Sequence, residues 1–280
     1  MINVIWYKAS RGNWDHGVLL SIFERNTEKF VQFNNVDARL AETAIVIVAG
    51  RPDVNELHER LSILKSGIVI LTSEEDAFFD WRNAIPSHLD IWTQYYSPST
   101  KKDIAERLLL GAPLRIRDYK INRHLPKKYK WSFVGQVQNP FRQECVDVLK
   151  TMDGGFLHVA GAFGGEVNGI EYQQYLDIMC QSEFVICPSG SMCVDSFRLY
   201  EAMECGAIPI TDSRSPRDSE NFNYWNEVHH ENTIPQVANW EVLPSLIRNI
   251  EKYHVKPSNY WWDAYKSNLE KNLIYVADNY

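Results

Sequence analysis

No run of apolar residues in this chain approaches the roughly 20 needed to span a bilayer. The opening stretch, MINVIWYKASRGNW, has no basic region leading into an apolar core. The expectation is a soluble, cytoplasmic protein with no membrane span. The five cysteines, Cys145, Cys180, Cys187, Cys193 and Cys205, are odd in number, form no CxxC pair and have no histidine at metal spacing. That excludes a disulfide framework and a structural zinc and points to a reducing compartment. Neither a Walker loop nor a GxGxxG turn occurs, which argues against nucleoside triphosphate hydrolysis and dinucleotide redox chemistry. Basic residues do not gather into a stripe, and the formal charge is -7, so a nucleic-acid partner is not expected. Low-complexity tracts and internal repeats are also missing.

What is present is an ordinary globular composition, 45% hydrophobic and 23% charged over 280 residues, enough for two domains. Short β-branched runs alternate with longer amphipathic stretches. This pattern predicts strands at 3–7, 44–49, 67–71 and 90–95, and helices at 17–29, 54–65 and 75–82. The pattern dissolves over 110–130, LGAPLRIRDYKINRHLPKKYK, where prolines and a dense charge run read as a linker with a boundary near 122 or as a face for an anionic ligand. A second series follows, with strands at 131–134, 156–159, 184–187 and 207–210 and helices at 141–152, 171–180, 195–204 and 241–253. The expected fold class is α/β: two Rossmann-like domains, 1–122 and 123–258, whose parallel sheets face a central cleft. A C-terminal helix at 259–280, carrying the Trp261, Trp262, Tyr265, Leu269, Leu273 stripe, is expected to pack back on them. Ligands of such sheets bind beyond the carboxyl ends of the strands.

Residues 183–211, EFVICPSGSMCVDSFRLYEAMECGAIPIT, hold the strongest chemical signal. A strand runs into a loop of small and hydroxyl residues that opens a helix, so backbone N–H groups and the positive helix end are offered to an anion, with Asp195 and Ser196 placed as caps. Arg198 reaches back from the first turn, and Glu201 shares its face. On spacing alone, two readings stand: a structural Arg198–Glu201 ion pair, or a site in which the arginine takes a diphosphate and the carboxylate takes ribose hydroxyls.

The run formed by Pro188, Gly190, Ser196, Arg198, Glu201, Ala202, Gly206, Ile208 and Pro209 resembles the signature of exostosin-type glycosyltransferases, and the upstream KWSFVG at 130–135 extends the likeness to about residues 130–212. The resemblance implies a two-domain fold of the GT-B type and inverting transfer from a nucleoside diphosphate sugar, uridine-linked. It places the donor in the C-terminal domain and a glycan or glycoprotein acceptor in the N-terminal one. No metal or other cofactor is implied, which agrees with the lack of a DxD signature. The compact form is similar to exostosin-like proteins of large algal viruses, which would make the donor sugar xylose and the compartment the host cytoplasm. On this reading the donor set comprises Pro188, Ser189, Gly190, Ser191, Ser196, Phe197, Arg198 and Glu201. Gln136, Arg142 and Arg123 are added from neighbouring loops.

Inverting transfer also needs a base to take the acceptor proton. Two loops at strand ends qualify. SRGNWDH carries Asp15 and His16, and TSEED carries Glu74, Glu75 and Asp76, although three acids behind Ser73 also suit a helix start. Spacing does not choose between them. Trp6, Trp14, Trp81, Trp92 and Tyr95 are the aromatic surfaces from which an acceptor sugar would take one or two. An epimerase using the same donor site, and a carbohydrate-binding protein lacking the base, are the competing readings.

Overall fold

The computed structural model describes residues 1–7, 13–34, 42–73, 81–95, 106–161, 170–190, 192–213, 223–228, 234–253 and 259–279. The chain forms two compact units, Met1–Leu114 with Tyr265–Tyr280, and Arg115–Ala264. Each is built on one all-parallel sheet, as the α/β expectation required.

In the first unit the elements run β1 (Ile2–Tyr7), α1 (Gly17–Arg25), β2 (Phe30–Phe33), β3 (Thr43–Ala49), α2 (Val54–Leu61), β4 (Ser66–Thr72), α3 (Trp81–Ala84), β5 (Asp90–Thr93) and β6 (Glu106–Arg107). The strand order is β2-β1-β3-β4-β5-β6. A parallel sheet covered on both faces needs strands that are apolar throughout, and β3 is buried from Ala44 to Val48 for that reason. Its alternate side chains feed two separate cores: Ile45 and Ile47 join Trp6, Phe23 and Leu273, whereas Ala44, Val46 and Val48 join Leu57, Leu61 and Trp81. The helix α2 starts where Asp53 accepts the Glu56 amide at 2.8 Å. β2 and β6 were not anticipated. β6 has only charged side chains and β2 a central Gln32, whose amide oxygen accepts from Trp6 Nε1 at 2.9 Å. Such strands are specified by the register of their neighbours, not by their own pattern.

The second unit contains β7 (Tyr129–Gly135), α4 (Pro140–Leu149), β8 (Gly155–Val159), α5 (Tyr172–Cys180), β9 (Ser182–Cys187), α6 (Phe197–Glu204), β10 (Ile208–Asp212), α7 (Tyr224–Val228), β11 (Gln236–Val237) and α8 (Leu243–Tyr253). The order is β11-β10-β9-β7-β8. Trp131, Phe133, Phe184, Ile186 and Ile210 pack on one face against Val146, Leu149, Trp240 and Leu243. On the other face, Ser182 Oγ donates to Ser132 Oγ at 2.8 Å under α5. The last helix, α9 (Asn259–Asn279), contributes to both cores. Trp262 is fully buried beside Tyr200, with ring centroids 4.8 Å apart, and Leu269, Leu273 and Val276 belong to the first unit.

The division falls between Leu114 and Arg115, earlier than the expected position near 122. The basic stretch fastens itself to helix ends of the second unit. Arg123 Nε donates to the Glu204 carbonyl at 2.6 Å, its Nη2 to Glu204 Oε2 at 2.8 Å and its Nη1 to Asp263 Oδ2 at 3.2 Å. Lys127 Nζ donates to the carbonyls of Cys180 at 2.9 Å and Gly206 at 3.3 Å. Cations placed on the last carbonyls of α5 and α6 complement their negative helix ends. No helix among the described residues is long and apolar enough to cross a membrane.

Candidate functional site

In the second sheet β8 lies on one side of β7 and the chain returns to place β9 on the other. The connections therefore diverge at the carboxyl ends of β7 and β9, which opens the crevice where open α/β sheets hold ligands. The PSG loop and the start of α6 lie at this point. Arg198 Nε donates to the Val134 carbonyl at 3.1 Å, and the guanidinium carbon sits 4.9 Å from the centre of the Phe133 ring. Its Nη1 is buried and has no hydrogen-bond partner among the described residues; the same holds for Ser189 Oγ and Ser196 Oγ. Leaving a buried donor unsatisfied costs about 1–3 kcal/mol each. Grouped on one loop and helix start, these donors could hold an anionic ligand.

Caps and charge pairs differ from the sequence expectation. Ser196 takes the N-cap position with extended backbone but makes no cap bond, and Asp195 accepts from Tyr224 Oη at 3.1 Å instead of capping. Arg198 and Glu201 do not pair with each other. Glu201, 3% exposed, accepts from Tyr172 Oη at 2.5 Å and Tyr175 Oη at 2.6 Å. Burial first and the Glu201 carboxylate second raise both phenol pKa values, so these tyrosines remain neutral donors. The structural ion pair foreseen as an alternative is thus not formed. Beneath the crevice the Cys187 thiol is pushed up to about 12 by burial, against the pull of Arg198, and is no nucleophile.

Two arginines expected at the donor have other partners. Arg142 is buried in α4, donating from Nε to the Ser189 carbonyl at 2.8 Å and from Nη1 to the Gln136 carbonyl at 3.2 Å, and so braces the two loops that frame the crevice. Asn139 adds a second tie, Nδ2 to the Gly190 carbonyl at 2.9 Å, while its Oδ1 caps α4. Arg123 is committed to Glu204 and Asp263, as described above. Gln136 and Phe197 are half-buried at the crevice, Pro188 and Gly190 are buried in the loop, and Ser191 lies outside the described residues. The tyrosines of α5 were missed, although YQQY puts both on one helix face, a signal the sequence did carry.

In the first unit the strand order reverses between β1 and β3. At the carboxyl end of β1, a short 3-10 turn, Trp14–His16, buries Asp15 and His16 completely. Ser73 Oγ donates to Asp15 Oδ2 at 2.7 Å, and Asn13 Nδ2 donates to Ser73 Oγ at 3.3 Å. Ser73 holds φ at +57°, a left-handed conformation rare for serine, and such strain gathers at functional sites. His16 Nε2 shares a 2.8 Å hydrogen bond with Thr72 Oγ1 and lies 3.6 Å from Asp15 Oδ1, a buried oxygen with no hydrogen bond among the described residues. Glu74, Glu75 and Asp76 lie outside the described residues. Among the aromatic candidates Trp6, Trp81, Trp92 and Tyr95 are core side chains, and Trp14 is 47% exposed.

Gly135 shows how closely the crevice is fitted. A Cβ there would lie 2.0 Å from Arg198 Nη2 and 3.0 Å from its Cζ. Gly135→Ala is expected to push the guanidinium off Val134 and weaken pyrophosphate binding at least tenfold, read by calorimetry, with the thermal transition retained. An unchanged affinity would show that the Arg198 position has no bearing on the anion.

Residues 114–279 match the model of the RXYLT1 C-terminal domain. No curated protein matches the chain.

Proposed function

The chain belongs to the RXYLT1 C-terminal domain family, a xylosyltransferase-related, exostosin-like group of glycosyltransferases, and from that premise we propose that it moves xylose from a uridine diphosphate donor to a hydroxyl of a glycan acceptor, with inversion. The observation that supports this reading most is the Arg198 crevice, where buried donors have no partner among the described residues at the strand-order reversal of the second sheet. They suit a diphosphate, whose charge grows as it departs.

In the proposed step the acceptor oxygen attacks the anomeric carbon and forms the new glycosidic bond. The bond from that carbon to the diphosphate oxygen breaks, and its electron pair leaves with the diphosphate. Arg198, with the hydroxyls of Ser189 and Ser196, receives the leaving charge. The acceptor proton passes to Asp15. Asp15 is taken ahead of the 74–76 loop because Ser73, itself in a left-handed conformation, holds its Oδ2 in place.

A thermal-shift panel of nucleoside diphosphate sugars tests the donor class. A ligand that binds only the folded protein stabilises it by about 2.7 kcal/mol at a hundredfold excess over its Kd. UDP-xylose is expected to raise Tm by several degrees, above the guanosine- and adenosine-linked sugars. A panel with no stabilising member would remove the donor reading. Release of an epimerised or free sugar without acceptor would replace transfer with another reaction.

A further inference from the structure

Beside the anion crevice is a stack that the catalytic reading leaves unused. The Arg115 guanidinium carbon lies 3.9 Å from the centre of the Tyr172 ring, with the side chain 51% exposed. Tyr172 in turn stacks on Tyr175 at 5.6 Å and 25°, and Tyr119 meets it edge-on at 4.8 Å. The same two α5 tyrosines hold Glu201, which stands one helical turn from Arg198.

The stack is not needed to fasten the segment that bears it. Lys120 N donates to Gln173 Oε1 at 3.1 Å, and Gln173 Nε2 returns a bond to the Lys120 carbonyl at 2.9 Å. Arg115 Nη2 also forms a long ion pair with Glu201 Oε1 at 4.0 Å, beyond hydrogen-bond reach, which leaves its side chain half exposed. The result is a planar cation set over an aromatic ring and half exposed to solvent. Guanidinium groups in this posture stack on further π-systems.

Along the second unit the chemistry runs from the donors at Arg198 that lack a partner among the described residues, past a buried carboxylate held by two tyrosines, to this planar surface. Its two ends suit the phosphate and the base of a nucleotide. We propose that Arg115, supported by Tyr172, is the platform on which the nucleobase of the donor stacks. The proposal rests on the diphosphate reading of the Arg198 crevice, and its test separates the two.

Calorimetry with inorganic pyrophosphate and with UDP, on the full chain, reads them independently. Removing one stacking partner of a base weakens binding by about tenfold or more. Arg115→Ala is expected to lower UDP affinity by about that factor and to leave pyrophosphate unchanged, whereas Arg198→Ala weakens both. Arg115→Lys, which keeps the charge and loses the plane, is expected to behave like the alanine variant. Full UDP affinity in either Arg115 variant, or an equal loss for both probes, would overturn the platform. If wild-type protein binds the two probes with equal affinity, the platform falls and the diphosphate reading stands. If it binds neither, both fall.

Discussion

Replacing Arg198 with alanine is expected to lower kcat by about 10²–10³, the effect of removing one preorganised donor from a developing oxyanion. The side chain is anchored at Nε by the Val134 carbonyl and held against Phe133, so its outer nitrogens are fixed before any ligand arrives. A donor fixed in advance needs no reorganisation as charge builds on the leaving group, and its contribution is larger in the transition state than in the bound ground state. Arg198→Lys should recover only part of the loss, since an ammonium cannot hold Val134 and reach a phosphate with the same rigid fork. Steady-state kinetics with a UDP-sugar and acceptor gives the answer. Activity within twofold of wild type in the alanine variant would show that the leaving group is stabilised elsewhere.

The second large effect is expected at Asp15. Asp15→Asn keeps the shape of the side chain and an oxygen to accept from Ser73 Oγ, so the turn should fold unchanged. It removes the proton acceptor, and loss of a positioned general base costs about 10²–10⁴ in rate. Donor affinity should stay within twofold, because the donor residues belong to the second unit, which sets this variant apart from one that merely unfolds the site. Full activity in Asp15→Asn together with a collapse in Glu75→Gln would move the base to the 74–76 loop.

The strand, loop and helix of residues 183–211 were legible in the sequence because they are close along the chain. A strand of apolar residues, a loop of small ones and an arginine in the next helical turn are local features, and each of them folds as its composition dictates. The long parallel strands were legible for a related reason, since a strand covered on both faces must be apolar throughout. The short β6 and β11 were not, because neighbours and not side chains specify them.

The arginines show where local reading ends. Arg123, Arg142 and Arg198 are alike in sequence, each beside a strand end or loop. Arg123 is held by Glu204 and Asp263, Arg142 by the carbonyls of Gln136 and Ser189, and Arg198 keeps a buried nitrogen without a hydrogen-bond partner among the described residues. Glu201 likewise takes its partners from α5 and not from the arginine three residues away. The α/β alternation and the family could be read from the sequence. The tertiary structure alone showed which charged groups brace the crevice and which lack a partner among the described residues. The physical reason is that a guanidinium or carboxylate is satisfied by whichever carbonyls and hydroxyls the sheet order brings within 3 Å or so, and those come from segments far apart in the chain.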